Sequence, residues 1–200
     1  MAIKFQYNKT ALQGLNKQLK MRERALPTIK NKESALRVEV IKAKNEVKEL
    51  ENKLNQKIEA YDGMMRLWGE FDNSLLTITD VKLTLKKIAG VKTPILEDVV
   101  LEHKEFSLYN MPNWYMDGIS ILREMVQISL EREVFIKKTK LLDYARKKTT
   151  QKVNLYEKVQ IPGFQEAIRK IKRFLEDEEN LSKSAMKIVK KRQEEMEEAV

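Results

Sequence analysis

The chain has no cysteine and one histidine in 200 residues. Disulfides, thiolate metal sites and thiol nucleophiles are thereby excluded, and a reduced compartment is permitted. The single histidine, His103, lies in the polar run EHKE with no second histidine or placed nucleophile beside it, and reads as a surface residue rather than a base or a ligand. Six glycines and four prolines leave few places to turn, so long uninterrupted elements are expected. Aromatics are scarce while charged residues reach 34%, which suits helices that bury one narrow stripe and solvate the remainder. No stretch approaches the roughly 18 continuous apolar residues of a membrane span, and the opening MAIKFQYNK lacks the apolar centre of a signal peptide. A soluble chain without an export signal is expected. IAGVKTP has one glycine and lacks the GK[ST] that would bring amides and a lysine to a phosphate. No cofactor, metal, nucleotide or catalytic site is expected on this chain.

What is present is periodicity. From Leu12 to Trp68 seventeen positions recur at steps of three and four, and fourteen are apolar; Arg22, Glu33 and Lys57 are the polar members. A 3.5-residue period held this long marks a coiled-coil helix. Asn8 or Thr10 could cap it, and from about Thr10 to Glu70 it would be roughly 90 Å long. Pro27 should bend it near its beginning. A second helix is expected after Asn113, its clearest seam being Phe164, Ile168, Ile171 and Leu175, continued less strongly by Glu178, Ser182, Ala185, Val189, Arg192 and Met196. That later seam is small and polar, so the helix there needs a surrounding surface.

Between the helices the period changes to two. Val81, Leu83 and Leu85 alternate with Lys82, Thr84 and Lys86, IAGVKTP (88–94) supplies turn residues, and a β-branched run follows at 95–101. A short hairpin is expected, with SLYNMPNW (107–114) as the loop into the second helix. Trp68 and Trp114, flanked by Met64, Met65, Met111 and Met116, are expected to anchor the junction of helices and hairpin. The fold class is thus mainly α, a long antiparallel two-helix coiled coil with a small β-hairpin in the middle. Its segments are 1–70, 71–113 and 114–200, in a single elongated unit with both termini at one end.

The net charge of +9 is uneven. Residues 1–50 carry 12 Lys/Arg against 5 Asp/Glu, 51–136 carry 10 against 14, and 137–192 carry 17 against 7. Basic zones near both ends can meet nucleic acid, an acidic protein surface, or simply water. The acidic clusters 176–179 and 194–198 fan out around a helix and read as solvated. One stretch resists this simple reading. VNLYEKVQIPGFQEAIRKIKRFLEDEE has a helical rhythm, yet Pro162 and Gly163 stand in its middle, at about 3 and about 1 kcal/mol respectively inside a helix.

The same residues carry a likeness. NKTALQGLNKQLK (8–20) with ALPTIKNKESAL (25–36) resembles the N-terminal helix of the D subunit of the V-type and archaeal (A-type) rotary ATPases. Val153, Asn154, Glu157, Ile161 and Pro162, then Ile168, Ile171, Leu175, an acidic run, Lys187 and Lys190, are similar to that family's C-terminal motif, and AGVKTPIL (89–96) to its Gly-Val-x-x-Pro turn. The anchors span residues 8 to 190. Pro27 and the lack of arginines at 176–180 depart from the family pattern.

The resemblance implies a non-catalytic central rotor shaft. It would transmit torque between a ring of catalytic and regulatory subunits and an ion-translocating membrane rotor, so the chain would be cytoplasmic and peripheral to the membrane. Implied partners are the ring, the small F subunit of the central stalk, and a connecting subunit to the membrane rotor; no nucleic acid is expected. For ring contact the basic residues are Lys9, Lys17, Lys20, Arg22, Arg24, Arg169, Lys172, Arg173, Lys187, Lys190 and Arg192. Pro162 and Gly163 would set a helix kink, or be tolerated without consequence. Val81, Leu83, Leu85, Val91, Pro94 and Ile95 would dock the small F subunit, or the hairpin caps itself. Three other readings compete: the gamma shaft of an F-type synthase, for which the middle segment is too short, a basic coiled-coil adaptor or nucleic-acid binder, and a standalone enzyme, against which the missing site argues.

Overall fold

The computed structural model describes residues 3–104, 109 and 112–197, with residues 64–66 and 73 described by backbone alone. Helix α1 runs Lys9–Ala60, followed by a 3₁₀ turn at Asp62–Met64, the short helix α2 at Met65–Trp68 and a second 3₁₀ turn at Asn73–Leu75. Strands β1 (Leu76–Ile88) and β2 (Val91–His103) form an antiparallel hairpin. Helix α3 (Tyr115–Asn154) passes through a π-helical turn at Leu155–Gln160 into α4 (Ile161–Glu197). The mainly helical fold with a small central hairpin is thus the one the periodicities predict. The expected loop at 107–114 and Met111 lie largely outside the described residues. The chain divides into two compact units, one of residues 1–31 with 149–200 and the other of 32–148.

Helix α1 begins where Asn8 accepts a hydrogen bond from the Ala11 amide on its side-chain oxygen, at 2.6 Å. It continues through Pro27 rather than breaking there. Pro27 is exposed, and Leu26 and Ile29 beside it turn inward, so packing offsets the lost backbone bond. The helix ends ten residues before the expected Glu70. At Tyr61 the amide is shared between the carbonyls of Lys57 and Ile58, a tightened last turn, and Gly63 follows. Along the seam every described position from Leu12 to Trp68 is buried or partly buried, the polar Arg22, Glu33 and Lys57 included.

In the first unit Leu15 packs with Phe164, Ala167, Ile168 and Ile171, and Ile3, Phe5, Leu12, Leu19 and Leu175 close around them. Arg22 Nε donates to Gln160 Oε1 at 2.7 Å, and Lys30 Nζ meets Glu157 at 2.7 Å. Rising numbers on α1 thus meet falling numbers on its partner, an antiparallel pairing.

The second unit shows the same sense, with Leu36, Val40 and Ala43 against Leu142, and Lys57 paired to Glu124. The tip of the hairpin lies on this core, since Ile88, Ala89 and Val91 pack against it. The turn is only Ala89–Gly90, at φ 48° and 81°, and the strands flank it directly, so residues 91–94 belong to β2 rather than to the expected longer turn. Positive φ costs Ala89 about 1 kcal/mol, which its packed methyl helps offset. Thr93 is fully buried and donates its hydroxyl to the Lys86 carbonyl at 3.0 Å, covering a backbone group on the packed side of the ribbon. At the other end of this unit Trp68, Phe71, Trp114 and Tyr115 stack around Leu75 and Ile119, and Tyr115 donates its hydroxyl to the Glu70 carbonyl at 2.6 Å. This is the junction expected for the two tryptophans.

Two glycines in helices have opposite surroundings. A Cβ on Gly118 would lie 3.0 Å from a Trp114 ring carbon, while one on Gly14 would meet open space. Gly118→Ala should lower stability by about 1–3 kcal/mol through overpacking, and Gly14→Ala should raise it by roughly 0.5–1 kcal/mol through helix propensity. Thermal melts of the two variants should therefore move apart. A second expectation concerns acid. Asp143 accepts two hydrogen bonds from Arg146, at 2.9 and 2.8 Å, and an ion pair from Lys147 at 3.1 Å, which together hold its carboxyl below the ordinary value. A depressed carboxylate stabilises the fold above its unfolded pKa and loses that contribution as pH falls toward the folded value. Asp143→Asn should cost a few tenths of a kcal/mol at neutral pH, and denaturant titrations should show that difference vanishing below about pH 4.

Candidate functional site

The surfaces that carry a candidate function follow from where each seam runs out of partner. Helix α1 starts at Lys9, and the residues around it, Tyr7 to Leu12, lie beside Leu175 to Ser182. Beyond that point α4 continues alone, and every described residue from Glu176 to Glu197 is exposed. At 100° per residue Leu181, Ala185, Ile188, Val189, Arg192 and Met196 fall on one stripe, and Lys183, Lys187, Lys190 and Lys191 lie on the opposite side. Leu181 is 72% exposed and Met196 67%, so nothing among the described residues covers this stripe. The small and polar late seam is therefore only part of the pattern; Leu181 and Ile188, one position before Ser182 and Val189, complete the stripe.

The basic residues are disposed differently from one another. Lys9, Lys17, Lys20 and Arg24 on α1 and Arg169, Lys172, Arg173, Lys187, Lys190 and Arg192 on α4 are exposed. Arg22 is turned inward, with its guanidinium 4.4 Å above the Phe164 ring as well as bonded to Gln160. On α4 several lysines are engaged along their own helix. Lys170 holds Glu166 at 2.8 Å, Lys183 holds Glu179 at 2.8 Å, and Lys190 and Lys191 reach Glu194 and Glu195 at 3.6 Å. The hydrogen bonds from Lys170 and Lys183 lower the carboxyls of Glu166 and Glu179 below their ordinary value. Such exposed pairs are screened by solvent and contribute little, so these lysines can turn to an outside carboxylate at little cost.

Pro162 and Gly163 sit in the first turn of α4, directly after the π turn. The Ile161 amide donates to the Tyr156 carbonyl, five residues back, in place of the usual four. An α-helical turn would drive the Pro162 ring against the Lys158 carbonyl; the wider turn draws that carbonyl away. The extra residue is also visible in the seam, where Tyr156, Gln160, Phe164 and Ile168 follow at three successive steps of four. The proline was the sequence signal of an irregularity here, and its form as a π turn emerges only with the packing. Gly163 is half-buried beneath Ile3 of the N-terminal segment.

Of the hairpin residues, Val81, Val91, Pro94 and Ile95 are partly buried, whereas Leu83 and Leu85 are exposed, Leu85 at 69%. Leu83 pairs with Leu96 and Leu85 with Pro94. The exposed leucines are bordered by exposed Lys82, Lys86, Lys87 and Lys92. Among the described residues no third strand pairs with this ribbon. A cleft of about 540 Å³ also opens in this unit between residues 96–101 of β2 and Arg123, Gln127 and Glu131 of α3. No helix among the described residues is long and apolar enough to cross a membrane.

Comparison with known proteins covers most of these features. The family of the ATP synthase D subunit matches residues 11–191, from the first turn of α1 through the hairpin and the π turn to the lysine row of α4. The V-type ATP synthase D subunit of Borreliella burgdorferi is 34% identical over 190 residues, covering 94% of each chain. Proteins of the same name from Chlamydia abortus and Chlamydia pneumoniae are each 27% identical, the first over 175 residues and the second over 200. With the paired helices, the central hairpin and the later part of α4 all inside matches of this extent, the chain belongs to the family of ATP synthase D subunits.

Proposed function

We propose that this chain is the non-catalytic central shaft of a V-type ATPase or ATP synthase, carrying torque between nucleotide turnover in a ring of catalytic and regulatory subunits and ion translocation in a membrane rotor. The observation that carries the proposal is the unpartnered end of α4, with its apolar stripe on one side and its lysine row on the other. A helix of this kind is completed by a surrounding surface. Apolar contact gives it a seat, and lysines on flexible stems can follow acidic groups that come round in turn without a fixed bidentate lock. The same reasoning extends to the exposed basic residues of α1 and to Arg169, Lys172 and Arg173. The change of helix type ahead of Pro162 gives the shaft a place to depart from a straight axis, so that rotation presents different faces to the ring. At the hairpin, Leu83, Leu85 and the open strand edges suit the small F subunit of the central stalk. A connecting subunit would join the shaft to the membrane rotor, which places the chain in the cytoplasmic, peripheral sector.

The double variant Leu181→Ser with Ile188→Ser tests the seat. Both side chains are exposed, so the melting curve of the isolated chain should hardly move. At about 2 kcal/mol per buried aliphatic side chain, affinity for the catalytic ring should fall by roughly a thousandfold, with loss of coupled ion pumping in the reconstituted complex. Unchanged affinity and fully coupled pumping would overturn the proposal. Leu85→Asp is expected to abolish co-elution with the small F subunit while leaving ring binding intact; retention of that partner would remove the hairpin from its docking surface.

A further inference from the structure

Residues 3–8, ahead of α1, are not helical, and they fold back over the point where α3 gives way to α4. Ile3 Cδ1 stands 3.2 Å from where a Cβ on Gly163 would be, so a side chain at 163 would push it away. Ile3 and Phe5 both pack on the core of Leu15, Phe164, Ala167, Ile168 and Ile171. Tyr7 extends the contact, its ring 4.8 Å from Phe174 and set edge-on to Phe5 at 5.3 Å. Between this strap and the π turn lies a cavity of about 270 Å³ lined by Ile3, Lys4, Arg22, Leu155, Val159 and Gln160, with Phe164 at its edge. Arg22 ties the far side, through its hydrogen bond to Gln160 and its stack on Phe164.

A π turn holds one residue more than the α turn it replaces, and that residue can in principle be passed along the helix. If it moved, Gln160 and Phe164 would rotate away from the positions in which Arg22 and Leu15 meet them. Pro162 disfavours one route, because an α turn would bring its ring against the Lys158 carbonyl. It provides no contact that fixes the side chains of Leu155 to Gln160, none of which is buried. Arg22 touches residues on both sides of the junction, Gln160 and Phe164, while Ile3 packs on the α4 side and lines the cavity over the π turn together with Leu155 and Val159.

We infer that residues 3–7 form a latch that holds the π turn at Leu155–Gln160 in register, with Ile3 as the catch, Gly163 as the notch that admits it and Arg22 as a second tie. Gly163 is in this view required for close approach of another segment and not for bending. Ile3 and Arg22 are positioning residues. The latch concerns the chain by itself and does not rest on the shaft proposal. Within a shaft it would resist twist at the place where a proline interrupts the backbone hydrogen bonding.

Amide hydrogen exchange on the full-length chain tests this, with wild type compared with Ile3→Ser, Ile3→Val and Gly163→Ala. In Ile3→Ser and Gly163→Ala, exchange across residues 155–161 should accelerate by about tenfold or more, while residues 168–175 of the same unit keep wild-type protection. Ile3→Val, which still fills the notch, should restore most of the protection. Unchanged exchange at 155–161 in both variants would overturn the latch. A uniform rise across 155–175 would also overturn it, because that pattern reports lost stability of the whole unit.

Discussion

Leu36, Leu142 and Ile171 are the large apolar side chains from which solvent is wholly excluded, and each lies where one long helix meets its antiparallel partner. Burial of this single narrow stripe is the constraint on which the remaining features depend. At roughly 1.5–3 kcal/mol per buried aliphatic side chain, a seam repeated every three or four residues tolerates local faults that an isolated helix could not. Pro27 stays within α1 for that reason. The polar members of the seam fit the same constraint. Arg22 finds Gln160 and Phe164, and Lys57 finds Glu124, whose hydrogen bond raises the lysine above its ordinary value. The Arg22 contacts favour one register between the facing helices, because a slip would take its guanidinium away from Gln160 and Phe164.

Where the seam meets no partner among the described residues, the same chemistry becomes a surface available to other molecules. The stripe that buries Phe164, Ile168 and Ile171 is followed on the same helix by one that leaves Leu181, Ile188 and Met196 in water. Ile88 and Val91 are held against helices, while Leu83 and Leu85 a few residues away are not. Both surfaces offer area, apolar contact and mobile positive charge.

Much of this was legible from residue spacing. The period of the α1 seam identified its inward positions down to Arg22, Glu33 and Lys57, because a helix in a two-helix pair has one stripe to bury and the sequence must mark it. The alternation at 81–86 marked the hairpin. Strand ends and the turn were less legible. Val91 and Lys92 continue a strand that looks like loop in sequence, since Val91 gains its burial from helices distant along the chain. The small and polar late seam of α4 pointed to a surrounding surface, but which leucines stand exposed there and on the hairpin was not legible, because the same leucine reads alike whether or not anything covers it.

Residue order alone dictates that the chain is made of long helices, that each has one apolar stripe, and that the middle is β; these are consequences of local period, and period is a property of neighbours in the chain. The exceptions were settled by packing between distant segments. It carried Pro27 through the helix, converted the turn before Pro162 to π geometry, and gave Gly163 to Ile3 from the opposite end of the sequence. One cause underlies all three. A backbone irregularity costs a definite amount locally, and whether it ends a helix, widens it or is used as a notch depends on the packing energy available on either side, which only the assembled fold supplies.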